Sequence, residues 1–117
     1  MKASVINKRG VAIVSFEGQL SFAHTHKLKE KLQELYTEKK NKKIVFNLEK
    51  LNFVGSSGIK PFIKTLKTFN KESVKPRFCG LSPEYQRLFS AFEGRDKFEI
   101  FETENAAIRS YLKPGNA

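Results

Sequence analysis

Short apolar runs alternate with amphipathic helical patterns along most of the chain, and this alternation restricts the fold more than any other feature. Two β-branched runs, Ala3–Ile6 and Val11–Phe16, are separated by Lys8-Arg9-Gly10 and predict an N-terminal hairpin. The later apolar runs are each followed by residues at helical spacing, which favours parallel strands joined by crossover helices. The predicted order is β-β-α-β-α-β-α-β-α. The fold class is therefore α/β, a single mixed sheet of four to five strands with about four helices.

The first two helices are predicted from stripes of apolar residues at helical spacing. Ser21 is the predicted N-cap of the first helix, whose stripe is Leu28, Leu32, Leu35 and Tyr36. That helix ends in the basic segment Lys39–Lys43, which is more often a solvated turn than a functional one. The second helix is predicted to run to about Lys71, on the stripe Ile59, Phe62, Ile63, Leu66 and Phe69.

Proline, serine and glycine mark the ends of the later elements. Val74–Gly80 has the composition of a strand, in which Pro76 indicates a late start or an edge position. Ser82 and Pro83 are typical of an N-cap and a first helical position. Gly94 is a suitable stop for that third helix. A short last strand and a final helix follow.

The length of the chain bounds its organisation. At 117 residues and 13.4 kDa it fits one domain, expected at residues 1–113 with a short tail at residues 114–117. Its single cysteine, Cys79, cannot form an internal disulfide and lies in an apolar strand, which predicts a buried thiol. No apolar run reaches the roughly 20 residues of a spanning helix, and the N-terminus lacks a signal-peptide pattern, so a cytoplasmic protein is expected.

The balance of charge is strongly basic. The 22 Lys and Arg residues against 12 Asp and Glu residues give a net charge of +10 and a pI near 9.8. This balance favours acidic partners such as nucleic acid, an anionic membrane surface or an acidic protein face, unless it reflects only a lysine-rich surface. A basic nucleic-acid-binding domain ranks low among these alternatives, because no recognition motif or base-stacking platform accompanies the charge.

The segment Gly55-Ser56-Ser57-Gly58, called the serine segment below, lies between the apolar run Ile44–Leu48 and the second helical pattern. Serines at such a junction cap helices. A phosphate bound at the same position would meet unpaired backbone N–H groups and the positive end of a helix dipole. From these residues alone, an ordinary capped turn and a phosphate-related site both remain open.

Four lysines, called the lysine stripe below, follow the serine segment at spacings of four, three and four residues. They lie beside the apolar stripe of the second helix: Lys60, Lys64, Lys67 and Lys71. Such a stripe recognises acidic groups on a partner, or it is a solvated helix face.

No arrangement of residues in the sequence matches a catalytic centre. His24 and His26 are two residues apart near the start of the first helix and therefore face different sides. One cysteine without a companion cluster does not suggest a metal site. The Gly-x-Ser-x-Gly elbow and the Walker phosphate loop are both absent from the sequence. We therefore predict a non-enzyme with no catalytic residues, metal or cofactor.

Two motifs give the chain a resemblance to a known family. Residues Asn47–Ile59 are similar to the family's strand and turn of the form x-L-x-x-L-x-F-x-D-S-S-G-L. Residues Cys79–Glu84 are similar to its G-L-S-P entry into the third helix. With these motifs in this order, the chain resembles the STAS family over nearly its whole length, and in particular the bacterial anti-sigma factor antagonists.

The resemblance implies a regulatory function. In antagonists of this family a serine is phosphorylated by a partner that is both a kinase and an anti-sigma factor. The unphosphorylated antagonist binds that partner and frees the sigma factor. The motif places the phosphoacceptor at Ser56, with Ser57 as the alternative. In the family the second helix borders the partner surface, so the resemblance makes the serine segment and the lysine stripe the candidate partner-binding surface. Another use of the same fold is a subunit of a different assembly, such as a lipid-transport ABC complex.

Two positions depart from the family pattern. Gly55 stands where the family has an aspartate, which removes a carboxylate and makes the turn more flexible. Lys60-Pro61 stands where the family commonly has small or aliphatic residues. Proline lacks a backbone N–H and disfavours helical geometry at the residue before it. We therefore expect an irregular first turn through Gly58–Lys60, with Ser56 exposed on a loop.

Overall fold

The computed structural model describes residues 2–20, 22–38, 43–53, 55–70, 75–95 and 97–112. Within these ranges the elements are, in chain order, β1 (Lys2–Lys8), β2 (Val11–Leu20), α1 (Phe22–Glu38), β3 (Ile44–Phe53), α2 (Gly55–Phe69), β4 (Arg77–Cys79), α3 (Pro83–Phe92), β5 (Glu99–Phe101) and α4 (Glu104–Leu112). The strands form one mixed sheet, so the predicted order of elements and the predicted fold class are confirmed.

Some of the predicted features lie outside the described residues. These are the Ser21 N-cap, most of the basic segment after α1 (residues 39–42), Lys71, Val74 and the tail at residues 114–117. Several side chains inside helices and strands also lie outside the description, namely those of residues 22–25, 35, 36, 38, 53 and 55–58.

The sheet has the strand order β1-β2-β3-β4-β5. β1 is antiparallel to β2, and each later pair is parallel. Arg9 and Gly10 connect β1 to β2 with φ angles of 55° and 81°. A two-residue turn with positive φ at both positions matches the twist of the strands it joins. The predicted N-terminal hairpin is thus confirmed.

β2 and β3 extend further than the apolar runs that predicted them. Those runs ended at Phe16 and Leu48, whereas the strands end at Leu20 and Phe53. A register irregularity after Ser15 lets the pairing resume, so that Leu20 lies opposite Phe53. The glycine and polar residues in this part of β2 are a turn signal in the sequence, but pairing with β3 keeps them extended.

The larger core lies between one face of the sheet and helices α1, α2 and α3. Its centre is a cluster of phenylalanines that are almost completely buried: Phe16, Phe46, Phe62, Phe78 and Phe89. Phe46 and Phe78 stack with ring centroids 5.3 Å apart, and Phe78 meets Phe89 edge to face at 5.9 Å. Such pairs contribute about 0.5–1.5 kcal/mol each beyond the burial of area, so this cluster is a main source of stability.

α4 covers the opposite face of the sheet with a smaller core formed by Val11, Ile13, Val45, Cys79, Ala107 and Ile108. Cys79 is 1% exposed, as the sequence predicted. Burial, followed by the negative charges of Glu104 and Glu49, raises the pKa of the Cys79 thiol to about 12. The thiol is therefore protonated at neutral pH and acts as a small apolar side chain.

The ends of α3 follow the predicted capping residues. Ser82 Oγ accepts a hydrogen bond from the N–H of Tyr85 at 3.2 Å, and Pro83 is the first helical residue. The helix ends just before Gly94, whose φ of 62° suits glycine. β4 begins only at Arg77, after Pro76, which confirms the predicted late start.

Glu104 ties α4 to two strands of the sheet. Its carboxylate accepts hydrogen bonds from Lys8 Nζ of β1 at 2.8 Å and from Asn47 Nδ2 of β3 at 3.0 Å. These two bonds, the Lys8 bond foremost, lower the pKa of the Glu104 carboxyl below its usual range. The ionised form is therefore favoured in the folded chain.

We expect Glu104→Gln to lower the free energy of unfolding by about 1 kcal/mol at pH 7. A carboxyl with a depressed pKa in the folded chain stabilises the fold above its unfolded pKa. That stabilisation is lost as the pH falls through the folded pKa. The difference from the wild type should therefore shrink below about pH 4, as measured by urea unfolding at several pH values. The exposed neighbour Glu102 provides the control Glu102→Gln, and a Glu104→Gln difference that stays constant with pH would contradict the assignment.

Candidate functional site

The serine segment forms the first turn of α2. β3 ends at Phe53 and α2 begins at Gly55, so the helix starts with Gly55, Ser56, Ser57 and Gly58. The N–H groups of a first helical turn have no partner within the helix, and they lie at the positive end of its dipole. This turn contains no acidic residue, so no carboxylate within it offsets the positive potential.

The irregular turn expected before Pro61 is wrong. α2 is a continuous helix from Gly55 through Phe69 and contains Pro61 in its second turn. A proline there removes the hydrogen bond that its own N–H would donate to the carbonyl of Ser57. Buried residues on both sides of the proline pack into the core, and this packing outweighs the local preference. Ser56 was expected on a loop, but its backbone lies in the first turn of the helix. The expected exposure of Ser56 concerns a side chain outside the described residues.

The apolar side of α2 fixes the serine turn against the sheet. Its buried residues are Ile59, Phe62, Ile63, Leu66 and Phe69. The Phe62 ring meets Phe16 of β2 at 6.2 Å and Phe89 of α3 at 6.5 Å, both edge to face. The position of the serine turn is therefore set by core packing that begins one turn further along the helix.

Three lysines of the stripe lie within α2, at least partly exposed to solvent. Lys60 and Lys64 are exposed and Lys67 is half-buried, whereas Lys71 lies outside the described residues. Lys60 follows Ser56 by four residues, so the two positions are neighbours on the helix surface. The structure thus brings the first lysines of the stripe and the serine segment onto one helix, and their contact with a partner stays a prediction.

The second motif places the loop between β4 and α3 directly against β3. Gly80 has a φ of 80°, and a Cβ built at Gly80 would lie 2.6 Å from the backbone N of Glu49. No side chain fits there unless the loop or β3 moves. The sequence motif identified Gly80, but its contact with β3 was not visible in the sequence.

Other polar features of the described residues are an open depression and a histidine–glutamate pair. An open depression of about 640 Å³ is lined mainly by polar residues of β1, β2 and β3, with lysines and glutamates interleaved. His26 Nε2 lies 2.9 Å from Glu30 Oε1 on the exposed side of α1. Within the described residues, no group of three His, Cys, Asp or Glu side chains is placed to hold a metal ion. Nor does any helix in those ranges have the length and apolar character for crossing a bilayer.

A family model of the STAS domain matches residues 2–107 of the chain. The chain belongs to the STAS domain family. Both sequence motifs that suggested this family lie within the matched residues, and the serine segment opens the second helix of the domain.

Named relatives of this STAS domain include regulators of sigma factors. It is 28% identical to the anti-sigma F factor antagonist of Paenibacillus polymyxa over 80 residues, which cover 68% of each chain. A crystal structure of an anti-sigma factor antagonist from Mycobacterium paratuberculosis has a TM-score of 0.74 at 20% identity and covers 96% of this chain and 94% of that one. The phosphorylated form of SpoIIAA, a Bacillus cell fate determinant, has a TM-score of 0.65 at 18% identity, covering 94% and 99%. The structural matches establish the fold.

Proposed function

We propose that this STAS domain is an anti-sigma factor antagonist switched by phosphorylation of Ser56. Unphosphorylated, it binds a cytoplasmic partner that is both an anti-sigma factor and a serine kinase, and so frees the sigma factor. Phosphorylation of Ser56 by that partner, with Ser57 as the alternative acceptor, ends the binding. The domain is then a regulatory binding module and catalyses no reaction itself.

The position of the serine segment carries this proposal. It forms the first turn of α2, in a STAS domain whose relatives include named anti-sigma factor antagonists. Core packing further along α2 holds the backbone of this turn in place. A kinase and a binding partner would therefore meet the acceptor serine in one defined position.

A phosphate on Ser56 is compatible with the folded helix. It adds about −1.5 to −2 charges at pH 7. The free N–H groups and the dipole of the first turn favour an anion there by about 0.3–1 kcal/mol, and Gly55 adds no repelling carboxylate. A phosphate at position 56 would lie one helical turn from Lys60, at the i, i+4 spacing of helical ion pairs. The phosphorylated form of SpoIIAA shares this fold, which supports a switch without unfolding.

The same charge opposes binding of the partner. A protein surface that fits a neutral serine turn must, after phosphorylation, bury or face a doubly charged group, which costs several kcal/mol at an interface. Pairing of the phosphate with Lys60 also withdraws an exposed lysine from the candidate partner-binding surface. A large change in affinity is therefore expected without a rearrangement of the domain.

Ser56→Asp is expected to lower the affinity for the partner about 100-fold, close to 2.7 kcal/mol. An aspartate is favoured at a helix N-terminus, so the variant should stay folded. Ser57→Ala should change the affinity by about threefold at most. The partner is first captured from an extract of the source organism with the wild-type domain, identified by mass spectrometry, purified and then titrated by calorimetry.

Ser56→Asn is the matched control, because asparagine has the size of aspartate without its charge. It should weaken binding by less than about fivefold. Incubation of the domain with the partner and ATP should place the phosphate on Ser56. Equal affinities of Ser56→Asp and the wild type for the partner would contradict the proposal that phosphorylation of Ser56 controls binding. Capture of a transport ATPase in place of a serine kinase would instead favour the ABC-complex alternative.

A further inference from the structure

β1 is an edge strand with unusual exposure. Among the described strands it pairs with β2 alone, and all of its residues, Lys2–Lys8, are exposed. Val5 and Ile6 are 52% and 49% exposed, and within the described part of the chain they are the exposed large hydrophobic residues. The opposite edge strand, β5, has only 3 residues, each half-buried. Short edge strands limit pairing with other chains, whereas a long exposed one favours it.

The open edge of β1 presents a regular row of backbone groups. Its register with β2 has no bulge along the whole strand. The two-residue turn makes Lys8 and Val11 a hydrogen-bonded pair. Because bonded and non-bonded pairs alternate along an antiparallel ladder, the residues whose N–H and C=O groups point outward are Ala3, Val5 and Asn7.

We infer that this edge docks an extended segment of a protein partner, which pairs with β1 as an additional strand of the sheet. The outward backbone groups supply the hydrogen bonds of such an addition. Val5 and Ile6 lie on opposite faces of the strand and supply apolar contact to alternate side chains of the added segment. This surface is separate from α2, so the inference does not depend on the switch at Ser56.

The basic side chains of β1 and its turn favour an acidic segment as the strand that pairs with this edge. β1 and its turn carry Lys2, Lys8 and Arg9 and no acidic residue. Lys8 Nζ already pairs with Glu104 at 2.8 Å, which leaves one basic residue near each end of the edge. A second copy paired antiparallel about Val5 would place Lys2 opposite Lys8 of that copy and next to its Arg9. Lys8 has Glu104 as its partner, but two copies of an edge that itself carries no acidic residue would still face each other, and like charges on facing strands destabilise a sheet. A partner segment with a β-branched centre and acidic ends avoids this repulsion.

The inference is tested with a fluorescein-labelled peptide of about eight residues that alternates valine and threonine and has two glutamates at each end. A lysine-ended analogue and an analogue with a central proline are the comparison peptides. Anisotropy gives the affinity, and amide hydrogen exchange followed by NMR gives the site. The acidic peptide should bind about tenfold more tightly than either analogue. It should slow exchange at the amides of Ala3, Val5 and Asn7 and leave those of β5 unchanged.

Variants of the chain separate edge pairing from general attraction. Val5→Pro removes an outward N–H but leaves the bonds to β2, and it should weaken binding about tenfold or more. Lys2→Glu combined with Arg9→Glu should weaken binding about tenfold, and it tests the inference even if the proline variant unfolds. Lys29→Glu combined with Lys31→Glu makes the same change in net charge on the exposed side of α1. This control should stay within about twofold of the wild type.

Four results would overturn the inference. The first is no binding of the acidic peptide at millimolar concentration, and the second is equal binding of the lysine-ended analogue. The third is protection of amides outside β1. Concentration-dependent dimerisation in sedimentation velocity, with the β1 amides protected in the absence of peptide, would also overturn it, because the occupant would then be a second copy of this chain.

Discussion

Replacing Gly80 with alanine is expected to lower the free energy of unfolding by about 3 kcal/mol. At a φ of 80°, an L-residue is strained by about 1–2 kcal/mol. In addition, the new Cβ would lie 2.6 Å from the backbone N of Glu49, and the backbone shift that relieves this overlap costs about 1–3 kcal/mol. Urea unfolding should show a lower midpoint with an unchanged slope.

Gly10→Ala is the matched control for this prediction. Gly10 has almost the same backbone conformation, with a φ of 81°, but a Cβ built there has no described neighbour within 4 Å. Its expected cost is about 1 kcal/mol, from the backbone conformation alone. Equal losses of stability in the two variants would show that the close approach of Gly80 to β3 does not add to the free-energy cost of Gly80→Ala.

Truncation of Phe78 to alanine is expected to lower the free energy of unfolding by about 4 kcal/mol. Phe78 is fully buried, and its ring lies 5.3 Å from that of Phe46, 5.9 Å from that of Phe89 and 5.4 Å from that of Phe98. These rings come from β3, from α3 and from the residue before β5, so they cannot all move into the space left behind. Since domains are stable by only about 5–15 kcal/mol, thermal and urea unfolding should show a barely stable protein.

Phe92→Ala is a suitable comparison for Phe78→Ala. Phe92 is half-buried and packs at the margin of the same cluster. Its truncation should cost about 1–2 kcal/mol, because water and neighbouring side chains can occupy part of the space. If Phe92→Ala were the more damaging change, the centre of the core would not lie at Phe78.

Features that depend on local chemistry were predictable from the sequence. The cap at Ser82 and Pro83 was correctly predicted because a hydroxyl, a free N–H and a fixed φ act within one turn. The late start of β4 followed in the same way from Pro76. Pro61 shows the limit of such reasoning. Its local preference is real, but the buried side chains of α2 hold the helix through it.

Features that depend on distant parts of the chain were not predictable. The junction between strand and helix patterns was visible in the sequence, but the serine segment was expected on a loop and instead forms the first turn of α2. Val5 and Ile6 are β-branched residues of the kind that also fill buried strands. The strand order of the structure is what shows that they lie at an exposed edge. The close approach of Gly80 to Glu49 likewise depends on how separate strands pack.

The phenylalanine cluster also determines when this chain can fold as it leaves the ribosome. Phe16, Phe46, Phe78 and Phe98 lie far apart in sequence, yet their rings form one connected set. Contacts between distant residues require the closure of long loops, which slows folding. A nascent chain therefore carries unpaired aromatic surface until Phe98 has emerged. During that interval its exposed aromatic surface makes it most prone to aggregation.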